Sequence, residues 1–169
     1  MRNVKPTNQA SGAGEQITSL LARFGPEPAK LKQALRRALR KRFPSENELV
    51  YDYGKSVVIS YGPTERGAEA IAGLSMDANG VRLFINHGAT LPDPHKLLQG
   101  KAGQVRYIEV DAAALIARPE VEALLSAAEQ KIRSLVKEKG RGALIIKPSS
   151  GLKVKAPAKK TATKGKAGK

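Results

Sequence analysis

The 169-residue chain has no cysteine and no tryptophan, and its aromatic side chains are four Tyr and three Phe. Without thiols there is no disulfide, no thiolate nucleophile and no cysteine-ligated metal. The longest apolar run, residues 112–117, reaches six residues with its alanines counted, against roughly 20 for a membrane span. Transmembrane anchoring is therefore not expected, nor is a membrane partner. Acid is absent beyond Glu138. The last 31 residues hold ten of the 30 basic side chains and none of the 15 acidic ones, so most of the net charge of +15 sits at the C-terminal end. No G-x-S-x-G elbow, no G-x-x-x-x-G-K-S/T loop and no G-x-G-x-x-G after a strand occurs, so the motifs that mark a serine nucleophile or a nucleotide cradle are missing.

What is present suits one folded domain, which takes about 100–200 residues. Residues 153–169 are almost entirely Lys, Ala, Gly, Pro and Thr. Such a segment buries too little to offset an ordering cost of roughly 1–2 kcal/mol per residue. Residues 150–169 are accordingly expected to form a disordered basic tail. Residues 1–14 are polar, expected to be disordered, and lack the apolar stretch of a secretory signal. The expected location is cytoplasmic, and the expected domain is 15–149.

Within that domain, Ile17, Leu20, Leu21 and Phe24 mark one face of a helix over 15–24. After Gly25-Pro26-Glu27-Pro28, a second helix over 29–42 buries Leu31, Leu35 and Leu39. Its seven Lys/Arg side chains include Arg36, Arg37, Arg40 and Lys41, which with Lys30 fall on the other side. Phe43-Pro44 ends it, because the residue before proline avoids helical geometry. The period then changes to two. Residues 48–53 and 56–61, joined through Gly54-Lys55, read as a hairpin. Residues 70–76, 81–85 and 104–110 read as further strands. Asp77-Ala78-Asn79-Gly80 reads as a turn, and 94–98 as one helical turn. A last helix starts at Pro119, presents Val121, Leu124, Leu125, Ala128, Ile132, Leu135 and Val136 as its apolar face, and stops at Gly140. Residues 142–147 add one short edge strand. The fold class predicted is α+β: two N-terminal helices, about five antiparallel strands and one long C-terminal helix, the helices on one sheet face.

The candidate chemistry is thin. His87 and His95 are eight apart in a Gly/Pro loop, where a helical zinc pair would be four apart, so no metal or cofactor is expected. Gly100-Lys101-Ala102-Gly103 has the residues of a phosphate cradle but precedes a strand and not a helix. Glu65, Arg66, His87, Asp93, Lys101 and Arg106 are candidate ligand-binding residues if their loops meet at one sheet edge. Tyr51, Tyr53 and Tyr61 sit at odd positions of adjoining strands and are expected to share a face. The basic second helix (Arg36, Arg37, Arg40, Lys41) and the tail (Lys159, Lys160, Lys164, Lys166) form an electrostatic footprint for polyanions. Binding of that kind releases counterions and is nearly blind to sequence.

A series of short motifs carries a family resemblance. It runs through Glu48-Leu49-Val50-Tyr51-Asp52, Gly62-Pro63-Thr64-Glu65-Arg66, Val81-Arg82-Leu83-Phe84, Gly88-Ala89 with Leu91-Pro92-Asp93-Pro94, Leu97-Leu98-Gln99-Gly100, Gln104-Val105-Arg106-Tyr107-Ile108 and Arg141-Gly142-Ala143-Leu144-Ile145-Ile146. This order resembles the YdhG-like bacterial family, domain of unknown function number eighteen hundred and one, over roughly 15–149. The resemblance implies a compact α+β domain and no established reaction. One branch is described as a frataxin-like iron chaperone, which makes iron delivery an implied alternative. The leading expectation is a non-enzymatic binding or adaptor domain for an unknown small molecule or protein, touching its ligand through loops 62–67 and 86–103. Weak nucleic-acid association through the basic helix and tail is the other alternative.

Overall fold

The structure, a computed structural model, describes residues 8–147. Its elements are α1 (Asn8–Ala22), α2 (Pro26–Arg42), β1 (Asn47–Asp52), β2 (Ser56–Gly62), β3 (Ala72–Asp77), β4 (Gly80–Ile85), β5 (Arg106–Val110), α3 (Pro119–Leu135) and β6 (Leu144–Ile146). The α+β order is the predicted one. Helix α1 starts at Asn8 and not at Glu15, so residues 8–14 are helical where a disordered segment was expected; they carry no apolar stripe for periodicity to detect. Helix α2 starts at Pro26, whose fixed φ and missing N–H suit the first helical position. The expected tail lies outside the described residues.

The sheet has six strands in the order β5-β4-β3-β2-β1-β6. The about-five-stranded antiparallel reading needs correction, because β6 pairs parallel to β1 with Leu49 opposite Ile145. The chain comes back from α3 along Ser45–Asn47 and so enters β6 in the direction of β1. That return requires Gly140. A Cβ there would stand 2.4 Å from the Ser45 carbonyl oxygen and 2.7 Å from the Glu46 Cα. Gly140 is therefore a point of close backbone approach and not the helix stop predicted for it. Helix α3 ends earlier, at Leu135, and Leu135 is 56% exposed, outside the apolar face assigned to it. Pro94 and His95 form a turn and residues 96–98 have no regular structure, so the helical turn expected over 94–98 is absent.

Strand alternation divides the sheet into two faces. On one, Val50, Val57, Ile59, Tyr61, Leu74, Met76, Leu83, Ile85, Ile108 and Val110 join a single core with Ile17 and Leu21 of α1, Leu35 and Leu39 of α2, and Val121, Leu125 and Ile132 of α3. Each such aliphatic side chain contributes roughly 1.5–3 kcal/mol by leaving water. All three helices pack on this face. Among the described residues no α-helix packs on the other face, though Leu49 and Ser60 are buried there and the short helical turn Gly67–Glu69 meets the Tyr51 hydroxyl. Across that face, register aligns Tyr51, Val58, Ser75, Arg82 and Glu109 in one row and Leu49, Ser60, Gly73, Phe84 and Tyr107 in the next. The β2–β3 and β4–β5 connections and the return from α3 all gather at the end of the sheet where β1 begins.

The shared-face expectation for the three tyrosines fails on register. Tyr51 pairs with Val58 while Tyr61 pairs with Glu48, so odd positions of β1 lie on the same face as even positions of β2. Tyr61 is fully buried against Phe43 on the helix side. Tyr51 and Tyr53 stack on each other on the helix-free side, ring centroids 6.2 Å apart.

Candidate functional site

Positions 36, 37, 40 and 41 fall on one side of α2 through the 3.6-residue period. With Pro44 they line a recess of about 390 Å³. The four cations are not equivalent. Arg36 turns inward and donates to the Glu48 carboxylate at 3.0 and 2.7 Å, so its charge is neutralised. Arg40 donates to the Glu46 carbonyl at 2.8 Å and the Gly142 carbonyl at 2.6 Å. Those acceptors hold the guanidinium rigidly without cancelling its charge. Arg37 and Lys41 are exposed, and among the described residues neither they nor Arg40 forms an ion pair. Three uncompensated positive charges thus flank one recess.

Three of the seven basic side chains of α2 are committed inside the fold and do not add to an open footprint for polyanions. Arg36 serves a buried carboxylate. Lys32 is 2% exposed with its Nζ 4.6 Å from the Phe24 ring centroid, and burial lowers its pKa. Arg42 bridges Glu122 at 2.8 Å and Glu129 at 3.0 Å, tying α2 to α3.

What anchors the recess is the polar segment Glu46-Asn47-Glu48 that leads into β1, of which the sequence reading placed only Glu48, as the first residue of a strand. Glu48 is 1% exposed and also accepts from the Tyr61 hydroxyl at 2.7 Å. Burial first, and the Glu48 charge second, push Tyr61 well above the ordinary tyrosine pKa. Glu46 is paired with Arg133 of α3, while its second oxygen has no hydrogen-bond partner. The Asn47 side-chain oxygen accepts from the Arg141 and Ala143 N–H groups at 3.0 and 3.3 Å, and its amide reaches the Pro63 carbonyl at 3.4 Å. This clamp fixes Gly142, and through it Arg40. Three consecutive polar residues ahead of an apolar strand were the available signal.

The six loop candidates do not assemble into one site. Glu65 pairs with Lys147 at 3.8 Å. Arg66 pairs with Glu69 at 2.9 Å and Glu138 at 3.5 Å, and Thr64 donates to Glu69 at 2.6 Å. The hydroxyl of Thr64 and the guanidinium of Arg66 hold the Glu69 carboxyl below its usual range. Asp93 caps its own turn, accepting from Leu97 and Leu98 N–H groups at 2.9 and 2.8 Å. His87, in the left-handed region at φ 59, meets Gln104 at 2.9 Å. Arg106 donates to the Gly103 and Val105 carbonyls, and Lys101 is exposed. His87 and Arg106 therefore share the β4–β5 end, while Glu65 and Arg66 serve the β6 side. The sharp turns at Gly100 and Gly103, φ 108 and 63, make 100–104 a connection into β5.

Among the described residues no group of three or more His, Asp or Glu side chains is placed to hold a metal ion, and no helix is long and apolar enough to cross a membrane. Lys159, Lys160, Lys164 and Lys166 lie outside the described residues. No family model, no curated protein and no solved structure matches this chain.

Proposed function

We propose that the protein is a non-enzymatic binding domain that associates with polyanions, nucleic acid foremost, through the exposed side of α2, with the basic C-terminal segment adding affinity. The observation that carries this is Arg40. Its guanidinium is fixed on two neutral carbonyls beside unpaired Arg37 and Lys41 in one recess. A charge so held costs little further ordering when a phosphate arrives, and each phosphate neutralised releases counterions. The loop candidates support a binding role over catalysis because Glu65, Arg66 and Asp93 are each engaged by structural partners. The YdhG-like assignment belongs to the same proposal, supported only by the α+β class which that resemblance implies.

The test is a gel-shift series in rising salt with the full chain and a chain ending at Ser150. The expected result is salt-sensitive binding by both, weaker for the shorter chain. Equal binding by both removes the C-terminal contribution. Binding by the full chain alone removes the α2 surface.

A further inference from the structure

We propose that the return of the chain after α3 controls the α2 recess: docking of β6 onto β1 fixes Arg40 for a phosphate, a phosphate in the recess holds β6 docked, and Asn47 is the positioning residue of this coupling. The inference rests on the phosphate-binding reading of the recess and adds its regulation.

Arg40 belongs to two structures at once. From α2 it lines the recess beside Arg37 and Lys41. Its Nη1 donates to the Glu46 carbonyl at 2.8 Å, and its Nη2 to the Gly142 carbonyl at 2.6 Å, 102 positions further along the chain. Among the described residues it is the one recess side chain bonded to the returning segment. A guanidinium has five N–H donors, so two spent on these carbonyls leave three for a phosphate. Neither bond has to break when an anion arrives.

The Gly142 carbonyl is placed by a turn that only glycine fits well. Gly142 has φ 64, and a Cβ there would stand 3.2 Å from both Arg40 Nη2 and the Pro44 carbonyl oxygen. Its N–H donates to the Ser45 carbonyl at 2.9 Å. The residues on either side, Arg141 and Ala143, donate to the Asn47 side-chain oxygen. Asn47 is 5% exposed and does not line the recess. It reaches that site only through the turn.

Strand β6 is the part able to detach. It has three residues, all half-buried, and pairs with β1 alone at the edge of the sheet. Such a segment opens locally at lower free energy than strands flanked on both sides. When the turn leaves, the Gly142 carbonyl leaves with it, and Arg40 keeps only the Glu46 carbonyl. The guanidinium regains rotamer freedom that a phosphate must remove again. The docked form therefore binds the anion more tightly, and linkage makes the anion favour docking by the same factor. Fixing one long side chain corresponds to roughly a two- to ten-fold change in affinity.

The experiment follows hydrogen exchange in the full chain with and without saturating heparin, beside the Arg37→Gln/Lys41→Gln double variant. Heparin should slow exchange roughly two- to ten-fold at Gly142, Ala143 and Lys147. Exchange at Gln99 and Tyr107, paired with each other at the opposite sheet edge, should not change. The double variant keeps the C-terminal lysines and so still binds heparin, but the slowing should be lost, which separates the recess from the C-terminal segment. Asn47→Ala should weaken heparin binding by the same factor with an unchanged salt slope, because no charge is removed. Unaltered exchange at Gln99 and Tyr107 shows that this variant is folded; if it does not fold, the exchange comparison alone decides. Heparin binding that depends on Arg37 and Lys41 but leaves exchange over 142–147 unchanged, or accelerates it, overturns the coupling and leaves the α2 reading standing. Full affinity in folded Asn47→Ala does the same. Slowing that persists in the double variant places its source outside the recess and likewise overturns the coupling. Equal heparin affinity in the parent and the double variant overturns the α2 reading itself.

Discussion

Gly73 and Phe84 face each other directly across β3 and β4, and the Phe84 ring occupies the space a side chain at Gly73 would need: a Cβ there would stand 2.5 Å from the ring Cζ and 2.2 Å from the Ile59 carbonyl oxygen. The glycine thus lets an aromatic ring lie down on the sheet. Gly73→Ala should destabilise the fold by about 1–3 kcal/mol through overpacking, read as a lower urea midpoint with unchanged m-value. It should also displace Phe84, visible as shifted ring resonances in NMR spectra.

The Arg36–Glu48 pair joins α2 to β1 with only Glu48 fully out of water. Removing one member leaves a buried charge behind. Arg36→Met should therefore cost about 3 kcal/mol or more in denaturant unfolding. Arg36→Met combined with Glu48→Leu should recover part of that loss, because the orphaned carboxylate is then gone. A double variant less stable than the single one would show that the pair is not the source of the cost.

Asn47 holds the return of the chain by accepting two backbone N–H groups. Asn47→Ala leaves both without that acceptor. Hydrogen exchange should accelerate at Arg141 and Ala143, and over 144–146, before it changes anywhere in β2 or β3. Global stability should fall by about 1–3 kcal/mol.

The Tyr61 hydroxyl is raised above its ordinary value of 10.0 by burial and by Glu48. Below pH 10 both folded and unfolded chains keep this proton, so the contribution is fully present there. Above pH 10 the unfolded chain releases it first, and stability falls as pH rises. Asp52 behaves oppositely. The Arg23 hydrogen bond holds its pKa below 3.8, so its contribution is present above that pH and is lost as pH falls through the lowered value. Tyr61→Phe should flatten the alkaline limb of a thermal stability profile, and Asp52→Asn the acid limb, each without flattening the other.

Helix α2 was legible because Leu31, Leu35 and Leu39 repeat at helical spacing, and the Asp77–Gly80 turn because Asn-Gly favours positive φ, with Asp77 capping Asn79 and Gly80. Strand β6 was legible only as an added edge. Its direction depends on Gly140 meeting Ser45, a contact 95 positions apart in the chain. The role of Arg36 was hidden because helical period places it beside Arg37 and only the β1 register brings Glu48 beneath it. The loop candidates were chosen by residue type, and type carries no information about which partner, such as Lys147 for Glu65, the fold delivers.

The most direct test of the α2 surface is the salt dependence of oligomer binding in the full chain and in the Arg37→Gln/Lys41→Gln double variant, followed by fluorescence anisotropy of a labelled single strand. Each phosphate contact contributes about 0.7 to the slope of log K against log salt for a single strand. The double variant should bind more weakly at low salt and with a slope smaller by about 1.4. Equal affinity and an unchanged slope would contradict a phosphate-binding role for this helix.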